Sequence, residues 1–342
     1  MTSECSKIIV EYVWIGGEYE IRSKTRVIDN INIDNVNDIP IWNYDGSSTK
    51  QAEGTASEIV IIPRALFNDP IRGVPHKMVM CEAVKPNGDP VDTNNRHWAN
   101  QIFEQALEEE PWFGLEQEYF MMHPRTNQPL GFIENQTQGQ FYCSAGSKNA
   151  FGRELVEKHL VSCILAGIKI SGVNAEVAPG QWEFQIGPCV GIEQGDHLWM
   201  ARYLLERLSE KLGIVINFEP KPLVGDWNGS GCHANYSTKN MREGTVDKTG
   251  LDYIYEAVDK LTIKHMDHMT VYGSNNDKRL SGAHETSHYD QFSVGIGNRG
   301  ASIRVGNDTI RDKKGYFEDR RPGSNCDPYL VTGILFKTTV DL

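Results

Sequence analysis

Glu116 and Glu118 stand two residues apart inside FGLEQEYF, a run with aromatic residues at both ends. In a strand, residues at that spacing share a face. The two carboxylates would then sit side by side, and burying them would add a desolvation cost to their repulsion. A fold built on this segment must either turn that face to water or bring a divalent cation to it. The motif by itself fits either solution.

Three further segments pose the same choice. NAEVAPGQWEFQIGP sets Glu176 and Glu183 on either side of Pro179-Gly180. That dipeptide predicts a hairpin whose two strands each present one glutamate, and Trp182 and Phe184 imply a partly buried setting. GDWNGSGCHANYST places His233 between a glycine-rich turn and alternating polar and aromatic residues, and GYFEDRRPGSNCDP places Glu318 between Phe317 and Asp319-Arg320-Arg321. Each has an ordinary structural reading when taken singly. Together they describe carboxylate oxygens with one imidazole, a donor set suited to magnesium or manganese; zinc more often recruits sulfur or several histidines.

An acidic chain that binds an anion also needs local cations. The 342 residues carry a formal net charge of -12, which argues against a nucleic-acid partner. Yet Arg279, Arg299, Arg304, Arg320 and Arg321 cluster in the last third. Arg299 and Arg304 bracket GASI, too apolar and small for a loose surface loop. Arginine binds phosphate and carboxylate bidentately without losing its charge. Divalent cations with arginines are the means of stabilising a phosphoryl group in transfer.

The chain divides by composition. Ile8 to Ile15 reads as a strand, Gly16-Gly17 as a two-residue hairpin turn, and Glu18 to Val27 as its partner; Ser57 to Ile62 and Lys77 to Ala83 read as further strands. Pro86-Asn87-Gly88-Asp89-Pro90 marks a boundary, giving a small, mostly β domain over 1–88 and a larger one over 89–342. Helical spacing predicts a helix carrying Trp98, Ile102, Phe103, Ala106 and Leu107, and others over Phe151–Ala166, Asp196–Leu212 and Leu251–Val271, with strand-like runs between. The larger domain is therefore expected to be α+β, an antiparallel sheet flanked by helices.

Seven scattered cysteines (Cys5, Cys81, Cys143, Cys163, Cys189, Cys232 and Cys326), without Cys-x-x-Cys spacing, read as reduced thiols. The first residues lack the pattern of a signal peptide, and the best apolar run, Leu160 to Ile170, is too short and broken to cross a bilayer. A cytoplasmic protein without a membrane partner is expected.

Two signatures mislead. HETSH, His284 to His288, matches the His-Glu-x-x-His zinc-protease pattern. That pattern requires a helix, and Gly282, Thr286, Ser287, Gly295 and Gly297 make poor helix context. GIGNRG, Gly295 to Gly300, matches Gly-x-Gly-x-x-Gly, but strand-like ASIRV follows where a dinucleotide site needs a helix. With no Walker A sequence, nucleotide binding must use another architecture.

WNYDGSST, PWFGLEQEY, NAEVAPGQWEFQIGP, GDWNGSGCHANYST, RLSGAHETS, NRGASIRV and GYFEDRRPGSNCDP, in this order from about Val10 to the C-terminal end, resemble glutamine synthetase of the eukaryotic type (type II). The resemblance implies a β-grasp-like N-terminal domain and a catalytic domain with a curved antiparallel sheet flanked by helices. It implies an ATP-dependent ligase that joins glutamate and ammonia through a γ-glutamyl phosphate. It also implies two to three Mg2+ or Mn2+ ions per site and stacked rings, usually a decamer, with active sites between subunits.

By the same resemblance, Glu118, Glu176 and Glu183 match the ligands of one metal, and Glu116, His233 and Glu318 those of a second. Asp45 matches the aspartate that binds ammonium and takes its proton, and Glu285 the flap glutamate that shields the intermediate from water. Asn228, Gly229, Arg279, Arg299 and Arg320 match glutamate-binding positions, with Arg299 also in a catalytic role. Glu116, Glu183, Asn235, Ser237, Arg299, Arg304 and Tyr316 match the ATP site. Met122 to Gln140 departs from the family's pattern, which leaves the loop shape there open, and no adenylylated tyrosine loop of the bacterial type is present. The alternative is a related γ-glutamyl ligase that uses another amine; a non-enzymatic relative would lack a metal or phosphate ligand, and none is missing.

Overall fold

The computed structural model describes residues 7–29 and 33–342; Cys5 and the rest of the first six residues lie outside it. Strands β1 (Lys7–Ile15), β2 (Ile21–Asp29), β3 (Trp42–Asp45), β4 (Glu58–Asn68) and β5 (Lys77–Val84) form one sheet in the order β2-β1-β5-β4-β3. Its central pair, β1 and β5, is parallel, and the other pairs are antiparallel. β1 is apolar at nearly every position because both its faces are covered. Ile8, Val10, Tyr12 and Trp14 pack into a small core with Ile59, Ile61, Val79 and Cys81. Val13 and Ile15 face the other way, into the main core with Phe67, Met78 and Met80. The strand order is β-grasp-like, but among the described residues only a single 3-10 turn, Val36–Asp38, stands between β2 and β3.

The first hairpin differs from the expected two-residue turn. Residues 16–20 connect the strands, closed by a hydrogen bond of 2.8 Å from Gly16 N–H to the Glu20 carbonyl. The left-handed residue is Tyr19, at φ 61°. Gly17 instead permits a close approach: its N–H donates to the Thr49 carbonyl at 2.9 Å, and a Cβ there would lie 2.4 Å from the same oxygen.

The larger unit comprises α1 (Asn95–Phe103), β6 (Trp112–Met122), α2 (Arg153–Ala166), β7 (Ile170–Ala175), β8 (Gln181–Val190), α3 (Glu193–Glu210), β9 (Val215–Asn217), β10 (Cys232–Ser237), α4 (Lys239–Glu243), α5 (Gly250–Ile263), α6 (His265–Met269), β11 (Val294–Ile296), β12 (Ile303–Val305), α7 (Asn307–Asp312), β13 (Phe317–Asp319) and α8 (Pro328–Thr339). The curled sheet runs β11-β12-β13-β10-β6-β8-β7, with β9 beside β6. Every pair in it is antiparallel except β11 with β12. The chain is thus α+β, as its sequence implied. Among the described residues no helix is long and apolar enough to cross a membrane.

Alternation along the strands separates two faces. Phe113, Leu115 and Tyr119 of β6, Phe184 and Ile186 of β8, Ala234 and Tyr236 of β10 and Phe317 of β13 join the main core with Leu198 and Leu205 of α3 and Val331, Leu335 and Phe336 of α8. Each such large apolar side chain contributes roughly 1.5–3 kcal/mol through burial. Helix α8 was not anticipated from the sequence. Its local signals are an N-cap aspartate and a proline at N1: Asp327 Oδ1 accepts from Tyr329 N–H at 2.9 Å. The single helix expected over Leu251–Val271 is broken at Lys264 (φ -99°, ψ 14°), and His265, just beyond the break, sets its ring Nε2 2.9 Å from the Tyr289 carbonyl.

Polar side chains on the core face are paired. Arg202 donates to Gln117 Oε1 at 2.9 Å and to the Cys326 and Ser324 carbonyls at 2.9 and 3.0 Å. Arg321, 1% exposed, meets fully buried Asp319 through two bonds of 2.9 and 2.6 Å, and the Tyr272 hydroxyl donates to the same carboxylate at 2.8 Å. Arg321 therefore belongs to the core and does not join the other clustered arginines. Removing one partner would strand a buried charge. Arg321→Ala is expected to destabilise the protein by about 3–5 kcal/mol in urea unfolding; a loss below about 1 kcal/mol would contradict this assignment.

Candidate functional site

The other face of the same sheet carries the charged residues. On β6, Glu116 and Glu118 point away from the core, flanked by buried Leu115, Gln117 and Tyr119. Antiparallel register does the rest. Glu116 pairs with His233 on β10, Glu118 pairs with Glu183 on β8, and Glu318 on β13 pairs with Asn235 on one side and Arg304 of β12 on the other. Glu176 follows β7 and reaches the same region through the hairpin, where its N–H donates to the Gln181 carbonyl at 2.9 Å. The Pro179-Gly180 turn thus brings Glu176 and Glu183 together.

The six side chains converge as two groups, Glu116–His233–Glu318 and Glu118–Glu176–Glu183, each offering ligand-type atoms within 4.8 Å of one another. In the first, His233 Nδ1 lies 3.5 Å from Glu116 Oε2 and 3.4 Å from Glu318 Oε1. Glu116, His233, Glu118, Glu176 and Glu183 line one cavity of about 230 Å³, and buried Glu318 adjoins it through His233. Arg279, Arg299, Arg304 and Arg320 line it, together with Asn228, Gly229 and Glu285. Glu116 and Gln185 also line an adjoining cavity of about 540 Å³, which Asn235, Ser237 and Tyr316 enclose with Trp112 and Phe113.

Strand alternation assigns the neighbouring arginines of EDRR to opposite sides. Arg320 turns back to the cavity and donates to Glu318 Oε1 at 2.7 Å, whereas Arg321 enters the core. Arg279 is buried, and its guanidinium donates to the carbonyls of Arg320, Arg321 and Pro322 at 3.0, 2.8 and 3.0 Å. Gly229 is required beneath it, since a Cβ would lie 2.2 Å from the Pro220 carbonyl and 2.6 Å from Arg279 Cγ.

The segment read as a flap is strained. His284 and Glu285 are consecutive residues at φ 53° and 61°, a conformation that costs about 1–3 kcal/mol for each non-glycine residue. Glu285 Oε2 stands 3.5 Å from Arg299, and His284 3.3 Å from Asp226. No helix forms there, and His288 lies beside Asp290, so the two histidines do not form a zinc-protease pair. At Gly295–Gly300 the chain passes from β11 towards β12, with no helix starting.

The comparisons with known proteins agree with this arrangement. The family described as "Glutamine synthetase, catalytic domain" matches residues 92–341. The chain belongs to the glutamine synthetase family. It is 51% identical to the chloroplastic glutamine synthetase of Daucus carota, over 99% of this chain and 79% of the relative. It is 51% identical to the cytosolic isozyme 1-5 of Arabidopsis thaliana, over 99% and 96%. With the cytosolic isozyme 1-2 of Oryza sativa it shares 50%, over 99% and 95%.

One site residue suggested by the resemblance to glutamine synthetase stands apart. Asp45, at the end of β3, is exposed and does not line either cavity of its own chain. Ser48 and Ser47 donate to its carboxylate at 2.6 and 2.7 Å and hold its pKa down at about 2.

Sequence reasoning also missed several residues that line the main cavity or support its lining. Gln181 and Gln185 share the face of Glu183 at strand spacing, a signal the motif did contain. Gln138 clamps Asn228, accepting from its N–H at 2.6 Å and donating to its Oδ1 at 2.8 Å. It comes from the irregular stretch between β6 and α2, where no periodic pattern could point to it. Tyr142, hydrogen-bonded to Arg299, comes from the same stretch.

The donor chemistry fits hard divalent cations: carboxylate oxygens in both groups and one imidazole. Burial, reinforced by Arg320, pulls the His233 pKa well below its usual value, so the ring is neutral and retains a lone pair. Glu318 Oε2 is buried and has no hydrogen bond, although Arg304 Nε lies 2.5 Å away in a misaligned contact. In the second group, burial and mutual repulsion raise all three carboxyls from 4.5, with Glu183 reaching about 8. Burial lowers Arg279 to about 10.

The native state therefore holds protons there that the unfolded chain releases. That contribution to stability is complete below the unfolded range near 4.5 and is lost as pH rises towards about 8. Without divalent cations, the thermal midpoint should fall between about pH 5 and about pH 8. Millimolar Mg2+ should remove most of that fall. Equal pH profiles with and without the ion would count against the site.

Proposed function

We propose that this chain is a glutamate–ammonia ligase, using ATP to convert L-glutamate and ammonia into L-glutamine, ADP and phosphate through a γ-glutamyl phosphate. The observation that carries this reading is the meeting of two carboxylate-rich groups and four arginines around one cavity, beside a second, more apolar one. The names of the relatives support the same activity, and nothing in the site favours another amine.

The reading assigns Glu118, Glu176 and Glu183 to one divalent cation and Glu116, His233 and Glu318 to another. A third cation would share these carboxylates, with Mg2+ or Mn2+ as the natural occupants. Bound cations would neutralise phosphate charge and draw electrons from the phosphoryl group being transferred. Asn235, Ser237 and Tyr316 would hold the nucleotide in the second cavity, with Glu116, which lines both cavities, and Glu183, which lines the first, towards its phosphates. Arg304 and Arg299 would face its phosphates.

Asn228, Gly229, Arg279, Arg299 and Arg320 would hold glutamate, leaving its γ-carboxylate free to attack. The acyl phosphate is readily hydrolysed, so Glu285 in its strained segment would close over it and exclude water. Asp45, ionised at neutral pH, suits binding ammonium and accepting its proton. Because Asp45 is exposed and away from its own cavity, the reading places it in the site of a neighbouring copy. It therefore includes a ring-stacked oligomer, a decamer by resemblance, with a boundary near residue 88 between the β-grasp-like and catalytic units. It also includes a cytoplasmic location, in keeping with the cytosolic relatives.

The test is glutamine formation that depends on ATP, ammonia and Mg2+. Glu183→Gln is expected to lower kcat/KM at least about 10²-fold, as loss of a group stabilising transition-state charge does. Folded, ATP-binding protein without activity would overturn the reading, and preference for a larger amine would favour the alternative ligase. Asp45→Asn should lower kcat by about 10²–10⁴, the usual range for a proton-transfer group. Mixing Asp45→Asn with Glu318→Gln subunits should restore part of the activity by assembling intact sites. No recovery from subunits shown to exchange would refute the shared site.

A further inference from the structure

Glu176 is the least anchored member of the Glu118–Glu176–Glu183 group, because it lies one residue beyond β7. Two amide side chains connect it to Glu183. Asn174 Nδ2 donates to Glu176 Oε1 at 2.9 Å. Gln185 Nε2 donates to Asn174 Oδ1 at 3.0 Å and also to Glu183 Oε1. An amide nitrogen has two hydrogens, so Gln185 can serve both acceptors. The chain of bonds also settles the amide of Asn174: reversed, it would set its oxygen against the Glu176 carboxylate.

Room for this bridge comes from one small residue. Gly172 pairs with Gln185 across β7 and β8, and a Cβ at 172 would stand 2.2 Å from Gln185 Oε1. Gly172 is not among the glycines with positive φ, so glycine matters there through the room it leaves the Gln185 amide, which an added Cβ would displace. The holders of this group are neutral throughout, since Glu118 Oε2 accepts from Gly231 N–H at 2.7 Å. Glu318, in the other group, is held by Arg304 and Arg320. A guanidinium aims a carboxylate but cancels its charge; an amide aims it and leaves the charge for a cation.

We propose that Gly172, Asn174 and Gln185 form a neutral buttress that fixes one oxygen each of Glu176 and Glu183 and leaves the other oxygen for a divalent cation. Asn174 and Gln185 are positioning residues, and the proposal rests on the reading of these glutamates as metal ligands. Outer partners of this kind typically change metal affinity by about 10–100-fold.

The experiment titrates Mn2+ alone into the nucleotide-free, full-length protein and follows free Mn2+ by electron paramagnetic resonance. Asn174→Leu and Gln185→Leu are each expected to weaken the tightest site about 10–100-fold, with native circular dichroism retained. Gly172→Ala should act in the same direction although it touches no ligand, and if it fails to fold the two leucine variants decide. Glu183→Gln, which removes a ligand, should weaken binding at least as much. Wild-type Mn2+ affinity in both leucine variants, with loss in Glu183→Gln, would overturn the buttress. Wild-type affinity in Glu183→Gln would overturn the metal reading beneath it.

Discussion

The structure is organised by the repulsion among carboxylates on one face of β6 and its neighbours. Glu116, Glu118 and Glu183 lie on adjacent strands, and Glu176 joins them from the hairpin. Burial and proximity raise the proton affinity of three of them. Side chains so disfavoured by their own surroundings are more costly than an apolar face would be. They are intelligible where their charge is used, and the neutral His233 and the surrounding arginines point to cations and anions meeting there.

A rigid support keeps such a face in place. The opposite side of the curled sheet is packed with aromatic and aliphatic residues against α3 and α8, and its few polar groups are paired, as with Arg202 and Arg321. The period of two along a strand carries both roles in one peptide. In EDRR, Glu318 and Arg320 bond to each other on the site face of the sheet while Asp319 and Arg321 close a buried ion pair. In LEQEY, Glu116 and Glu118 alternate with Leu115, Gln117 and Tyr119, all buried. A one-residue slip would exchange the two sets, so the register that assembles the core also assembles the site.

Much of this was legible in the chain. The carboxylates two apart, the Pro-Gly hairpin between Glu176 and Glu183, and the arginines of the last third are local patterns with local physical meaning. Helix α2 and strands β1, β2, β4 and β5 of the first sheet are anticipated by side-chain pattern and turn signals, whereas β3 is not. The misreadings arose where a distant partner decides. Gly16-Gly17 resembles a tight turn, but Gly17 is needed because the Thr49 carbonyl comes close. Arg321 looks like one more anion-binding arginine until Asp319 and Tyr272 surround it. Gln138 has no sequence signal, because its importance comes from Asn228, ninety positions away.

The amino-acid sequence alone determined the kinds of side chain at the site, their spacing within each strand and hence which of them share a face, since these follow from backbone periodicity. Tertiary structure decided which strands lie side by side, and so which glutamate meets His233, which meets Glu183, and which amides hold them. Those pairings depend on hydrogen-bond register between segments far apart in the chain. No local pattern encodes that register; it is selected by the packing of the whole sheet against its helices.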